Sequence, residues 1–230
     1  EATEAYEQAI KIQESLLQVS PQSPRAKRDL FHVLGKFADF LVERGQLGDS
    51  EQVLPLLERV LRLNEQILIA NPESALAARD ISVCLTKLAI LLARRGLPGD
   101  AEKALDYFTR SLEVSERLLL ANPESAQAAR DVSVSLNALA DFLTRRGLPG
   151  DAEQALGYLT RDLEISEQLF LANPESAQAA RDVAVSHFKF FKFHRQRGDN
   201  QPAADSLSQC FAILDAFASE GRPMDAEMRS

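Results

Sequence analysis

Tryptophan is absent from this chain of 230 residues, which also has only two cysteines, two methionines and three histidines. So few thiols and imidazoles leave little material for a disulfide framework, a zinc ribbon or a haem site. No apolar run approaches the length of about 18 residues that a membrane span needs. A basic surplus is lacking too, because 34 acidic residues outnumber 26 basic ones and give a net charge of −8. We therefore expect neither nucleic acid nor a membrane as a partner.

The chain does contain an internal repeat with a period of 51 residues. The sequence Asn-Pro-Glu-Ser starts at Asn71, Asn122 and Asn173, and residues 71–121 are identical to residues 122–172 at 36 of 51 positions. A degenerate copy starts at Ser20, and the residues before it match the second half of a repeat. We divide the chain into one repeat domain over 1–219 and a flexible tail. Its parts are a half repeat 1–19, the repeats 20–70, 71–121, 122–172 and 173–219, and the tail 220–230.

Each repeat is predicted to form two helices. Asn71 and Pro72 suit the N-cap and first position of a helix whose apolar residues recur every three or four positions, and Gly96 suits its end. A second periodic segment runs from Ala101 to Leu119 and stops before the next Asn-Pro pair. Period-2 alternation is absent. The expected fold is all-α, an α-solenoid of stacked antiparallel helix pairs with one more helix over 2–19.

These helix pairs resemble the tetratricopeptide repeat (TPR) family. The Leu-Gly-x-x-Tyr block of that family would fall on Leu88-Ala89-x-x-Leu92 and on Leu139-Ala140-x-x-Leu143, and the glycine between its helices on Gly96 and Gly147. The family repeats every 34 residues, whereas this chain repeats every 51. The chain thus looks like a long-helix variant. The resemblance implies a TPR-like superhelix whose concave groove binds partner peptides.

No constellation typical of catalysis is evident. An Arg-Asp pair recurs in register in all four repeats, and we interpret it as a ladder of ion pairs or caps between repeats, with different partners for the two residues. His187 and His194 are seven residues apart, but no further metal ligand recurs at a helical spacing, and His187 replaces a core leucine. Cys84 and Cys210 are interpreted as packing residues. We expect no enzyme activity, no cofactor and no metal site.

One stripe on the first helix of each repeat differs between copies, whereas the core positions are kept. By the TPR resemblance this stripe lines the groove; the alternative is that these positions are merely exposed. The candidate groove residues are Thr86, Ile90, Arg94, Asn137, Asp141, Arg145, Phe188, Lys192 and Arg195. The stripe is acidic in the first repeat and gains cations in the last two. This trend favours a partner segment of mixed charge that is acidic toward the C-terminal end of the groove.

The fourth repeat is unusual, because Phe188 and Phe191 stand where the third repeat has asparagine and alanine. We favour a repacked C-terminal cap over rings that face a partner. The expected function is a non-enzymatic protein-interaction module that binds a peptide or helix of another protein. The alternative is a scaffold that self-associates through its terminal repeats. Because the copies are nearly identical, we expect a recently duplicated repeat region of bacterial origin. Because the chain starts at Glu1, we expect this region to belong to a larger protein, with a cytoplasmic location.

Overall fold

A computed structural model of the protein describes residues 1–46 and 48–219. Every regular element in these residues is an α-helix, which confirms the predicted all-α repeat fold. The helices are α1 (Ala2–Val19), α2 (Pro24–Arg44), α3 (Asp49–Ala70), α4 (Ala75–Arg95), α5 (Asp100–Ala121), α6 (Ala126–Arg146), α7 (Asp151–Ala172), α8 (Ala177–Arg197) and α9 (Asn200–Ser219). We call α2, α4, α6 and α8 the first helices of their repeats, and the others second helices. The predicted tail 220–230 lies outside the described residues.

The start of the first helices differs from the prediction at Asn71. The backbone N–H of Asn71 closes the end of α3, and its carbonyl oxygen accepts from the N–H of Ser74 at 3.0 Å in a tight turn. Ser74 is the N-cap of α4, because its hydroxyl accepts from the N–H of Ala77 at 3.2 Å. The prediction of Asn71 as N-cap was therefore wrong by three residues. Ser74 takes the capping role because the backbone N–H and carbonyl oxygen of Asn71 already form hydrogen bonds in the turn before the helix.

A clamp of one arginine and one aspartate closes each of the first three helical hairpins. α4 ends at Gly96, whose φ of 67° is accessible to glycine at little cost. Arg95 then pairs with Asp100 at the start of α5 at 2.6 Å, and Asp100 also accepts from the N–H of Leu97 at 3.0 Å. Arg44–Asp49 and Arg146–Asp151 repeat this arrangement. Because the connections are this short, the two helices of a repeat run antiparallel.

The chain divides into two compact units, and the first comprises Glu1–Leu118. In this unit α1 packs on α2, α2 on α3 and α3 on α4. The core is built mainly from leucines, for example Leu34 and Leu85, together with the ring of Phe37. Because the leucines recur at helical spacing, each first helix contributes a continuous apolar face. α1, in contrast, has no buried residue.

The second unit starts at Leu119. In it α7 packs between α6 and α8, and α9 covers α8. Leu136, Leu139 and Leu143 are almost inaccessible to solvent. Arg130 pairs with Asp182 of the following repeat at 2.7 Å, so the predicted ladder between repeats is confirmed for this pair. That residues 1–219 act as one domain stays a prediction.

Candidate partner-binding clefts

Each unit contains an open cleft between two successive first helices. The cleft of the first unit lies between α2 and α4 and has a volume of about 130 Å³. It is lined by Phe31, His32, Gly35, Lys36, Asp39, Leu57, Val60, Asp80, Val83, Cys84 and Lys87. The cleft of the second unit lies between α6 and α8 and has a volume of about 320 Å³. It is lined by Ala140, Asp141, Thr144, Arg145, Leu159, Lys189, Lys192, Phe193 and Gln196. We call them the first cleft and the second cleft.

Direct hydrogen bonds join the two walls of the second cleft. The ammonium of Lys189 on α8 donates to Oδ2 of Asp141 on α6 at 2.6 Å. The amide of Gln196 donates to the backbone oxygen of Thr144 at 3.3 Å. The hydroxyl of Thr144 donates to the backbone oxygen of Ala140 in its own helix at 2.7 Å. These bonds fix the spacing of α6 and α8 and thus the width of the cleft.

Three cations at or beside the second cleft have no ion-pair partner among the residues that the structure describes. The guanidinium Nε of Arg145 donates only to the backbone oxygen of Asp141, at 3.1 Å. The Lys192 ammonium lies 6.0 Å from the centre of the Phe188 ring, and the Arg195 guanidinium lies 5.7 Å from that of Phe191. Both rings hold their cation through its attraction to the aromatic face and leave its charge unneutralised. The polar ends of these side chains therefore stay available to an anion.

The first cleft is smaller and its charges are balanced. Lys87 on α4 pairs with Asp39 on α2, across the cleft. Burial raises the pKa of Asp80, and the nearby charges of His32 and Arg28 offset only part of this effect. Two lysines and two aspartates line this cleft, so it has no excess of fixed charge of either sign.

The predicted groove residues divide between several environments. Asp141, Arg145 and Lys192 line the second cleft, whereas the other six candidates line neither cleft. The hydroxyl of Thr86 forms a hydrogen bond with that of Ser111 at 2.8 Å and so belongs to the packing of its own repeat. The remaining exposed candidates are Ile90, Arg94, Phe188 and Arg195. Asn137 is partly buried and lies near the carboxylate of Asp162. Whether these residues contact a partner stays a prediction.

Sequence reasoning missed the lysines that join the clefts. Lys87 pairs with Asp39 and Lys189 with Asp141, and both pairs are separated by 48 residues. A separation of 51 residues joins equivalent positions of two successive first helices. A separation of 48 residues therefore joins positions that differ by about one helical turn, and these lie opposite each other on the two helices. An opposite charge at this separation in two of the repeats was the signal that could have revealed them.

The side chains of highest intrinsic reactivity are not poised for chemistry. Burial raises the pKa of the Cys84 thiol to about 12, and the thiol donates to the backbone oxygen of Leu57 at 3.3 Å. Burial also raises the pKa of Cys210 and lowers that of His187. Both cysteines are buried, as predicted for packing residues. In the described part of the chain no set of three or more His, Cys, Asp or Glu side chains could hold a metal ion, and no helix there is long and apolar enough to cross a membrane.

The aromatic residues of α8 face in more than one direction. Phe193 is buried, and its ring meets that of His194 edge-on. Phe188 is 42% exposed, and its ring centre lies 5.6 Å from that of Phe191. α8 thus buries the ring of Phe193 in the core and keeps a partly exposed aromatic pair next to the cations described above.

Comparison with solved structures agrees with this architecture. No model of a known protein family matches the chain, and neither does any curated protein. A de novo designed helical repeat protein, DHR64, is similar over 86% of this chain and 98% of its own length, with 18% identity and a TM-score of 0.55. MamA aligns over 93% of this chain and 91% of its own, with 11% identity and a TM-score of 0.45. The similarity to the designed protein places the chain among helical-repeat proteins by fold.

Proposed function

We propose that the protein is a non-enzymatic interaction module, a long-helix relative of the TPR family, that holds a peptide or helix of a partner protein between its first helices. The observation that carries this proposal is the position of the two clefts. Each unit opens between successive first helices, and some lining positions differ between copies, such as Asp141 and its counterpart Lys192, while the buried leucines Leu34, Leu85 and Leu136 are kept through the first three repeats. Variation on one face over a constant core is expected of a repeat array that recognises another chain.

The size and lining of the second cleft also support this proposal. A volume of about 320 Å³ lies at the lower end of the range for binding sites and suits a few side chains of an extended or helical segment. Its walls combine apolar atoms of Ala140, Leu159 and Phe193 with the charged groups of α6 and α8. Such a surface supplies burial and orientation without any catalytic group.

A matched pair of tryptophan variants tests the proposal. Peptides selected from a random display library against the whole chain would be measured by fluorescence anisotropy. Thr144→Trp fills the second cleft and is expected to weaken their binding by about tenfold or more. Thr160→Trp is the control, because Thr160 donates to a backbone oxygen of its own helix as Thr144 does but lies outside both clefts. Equal binding by the two folded variants, or selection of no peptide, would contradict the proposal.

Self-association through the terminal repeats is the second candidate, favoured by the exposed face of α1. Ile12 and Leu16 are 60% and 52% exposed, whereas Leu63 and Ile67, one period further on, are each 7% exposed. Among the described helices α3 packs against both α2 and α4, whereas α1 packs against α2 alone. At the other end, Phe211 on α9 is 56% exposed. Exposed apolar faces of this kind often mark interfaces.

Sedimentation equilibrium over a wide concentration range separates the two candidates. Self-association predicts a mass that rises with concentration and returns to that of the monomer in Ile12→Glu/Leu16→Glu. The control Leu120→Glu/Leu171→Glu changes two other exposed leucines and should leave the mass curve unaltered. A mass that does not depend on concentration in the parent chain excludes self-association in this range.

A further inference from the structure

The charge of the second cleft indicates what kind of partner it takes. Three cations, Arg145, Lys189 and Lys192, line it against the single carboxylate of Asp141. Since Lys189 already neutralises Asp141, the charges of Arg145 and Lys192 remain. This local excess is positive although the whole chain carries a net charge of −8.

We propose that the second cleft binds a short acidic segment of a partner protein, whose Asp or Glu carboxylates pair with Arg145 and Lys192. This inference rests on the proposed function and specifies its partner. Arg145 offers a planar group that can bind a carboxylate through two parallel hydrogen bonds, and Lys192 adds a mobile point charge. The apolar floor at Leu159 and Phe193 would receive a non-polar side chain of the same segment.

The acidic surface of the rest of the chain limits the length of the anion. Exposed charges further away than about 8 Å are largely screened at physiological salt, so a short segment responds mainly to the cleft. A long polyanion such as RNA would instead extend over surface that carries the net negative charge, and few phosphates could be neutralised. The structure therefore favours a short acidic peptide over a nucleic acid.

The first cleft is an internal reference for this argument. It occupies the same position between two first helices, yet its two lysines face two aspartates. If shape alone attracted the partner, neither cleft would distinguish an acidic segment from a neutral segment of the same shape. The inference instead assigns acidic selectivity to the second cleft only.

Charge-reversal variants of the whole chain test the inference with a defined probe. The probe is a short fluorescein-labelled peptide of alternating glutamate and leucine, and its isostere with glutamine controls for shape. Arg145→Glu/Lys192→Glu should weaken binding of the glutamate peptide by about tenfold or more, because two attractions become repulsions. Lys11→Glu/Lys103→Glu changes the net charge equally at exposed sites away from the cleft and should alter binding less than about twofold. Added salt should weaken binding of the glutamate peptide alone.

Several results would overturn the inference. They include equal binding of the glutamate and glutamine peptides, equal losses in the two double variants, and tighter binding of an oligouridylate of matched charge. Library peptides that are neutral or basic but still lose binding in Thr144→Trp would refute the acidic assignment and leave the proposed function standing. Failure of every peptide to bind would refute both.

Discussion

Replacing Asp162 by serine should stabilise the protein, because this aspartate is buried and has no ion-pair partner among the described residues. The side chain is 1% exposed; its Oδ2 accepts from the hydroxyl of Ser186 at 2.7 Å, while its Oδ1 has no hydrogen-bond partner among the described residues. At the equivalent position of the second repeat, Ser111 is also fully buried but bonds the hydroxyls of Ser82 and Thr86 at 2.9 and 2.8 Å. The third repeat thus has a carboxylate where its neighbour has a satisfied hydroxyl network.

The magnitude follows from the cost of an unsatisfied buried polar group. Leaving such a group without a partner costs about 1–3 kcal/mol, and more if it is charged. The lost hydrogen bond from Ser186 offsets part of the gain from Asp162→Ser. Burial raises the pKa of Asp162, and the hydrogen bond from Ser186 together with the nearby charge of Lys189 offsets only part of this rise, so the surroundings disfavour the charged form on balance. We expect Asp162→Ser to raise the free energy of unfolding by about 1–2 kcal/mol near neutral pH.

The pH dependence gives this prediction its sign test. The pKa of Asp162 is higher in the folded than in the unfolded state, so burial of the ionised carboxylate destabilises the protein. This destabilisation is fully present at pH values above the folded-state pKa and disappears as the pH falls toward about 4, where the carboxyl group is protonated in both states. Urea denaturation at about pH 8 and at about pH 5, followed by circular dichroism, should therefore show a gain from Asp162→Ser that shrinks on acidification. The reciprocal variant Ser111→Asp should lower stability by about 3 kcal/mol.

Asp162→Asn provides the isosteric control, since it removes the charge and keeps the shape. A loss of stability in both Asp162→Ser and Asp162→Asn at neutral pH would refute the reasoning. So would a gain that stayed constant between the two pH values.

Three further predictions concern the packing of the repeats. His187→Leu should restore a core leucine and stabilise the protein most below about pH 6.5, because burial lowers the folded pKa of His187 and protonation therefore favours the unfolded chain. Thermal unfolding against pH measures this gain, and a gain that did not grow below about pH 6.5 would contradict the prediction. Arg95→Met should make the stability of the protein depend less on acid. The hydrogen bond from Arg95 holds the pKa of Asp100 at about 2, so the ionised carboxylate stabilises the fold above about pH 4 and this contribution is lost toward about pH 2. An acid-unfolding profile that did not change in Arg95→Met would contradict this prediction. Leu136→Ala should cost about 3–5 kcal/mol in urea denaturation, since Leu136 has no exposed surface, and a loss below about 1 kcal/mol would refute its place in the core.

The helices were predictable because their signals are local. A leucine every three or four residues defines an apolar face wherever the segment is placed, and the prediction of a helix over 2–19 agrees with α1 at Ala2–Val19. Gly96 ends α4 in the left-handed conformation, as its position after two arginines indicated. The N-cap failed at Asn71 because two polar residues competed for the role, and the geometry of the turn between them decided in favour of Ser74.

The candidate site was predictable only in outline. Comparing the copies of the repeat singled out Asp141, Arg145 and Lys192, which all line the second cleft. It could not separate them from Thr86, whose hydroxyl turns inward to Ser111. Variation between copies indicates that a position lies outside the core packing that the repeats share. It does not indicate which residue the side chain contacts.

The amino-acid sequence by itself determined the period, the helical hairpins and the apolar faces that must be covered, because these depend on residues within one or two helical turns. Tertiary structure alone decided that Lys189 neutralises Asp141 while Arg145 and Lys192 find no ion-pair partner in the described part of the chain, and that the carboxylate of Asp162 is buried. The physical reason is that charge pairing and burial depend on distances between helices. These distances are set when neighbouring repeats pack, and residues 48 or 51 positions apart then become neighbours.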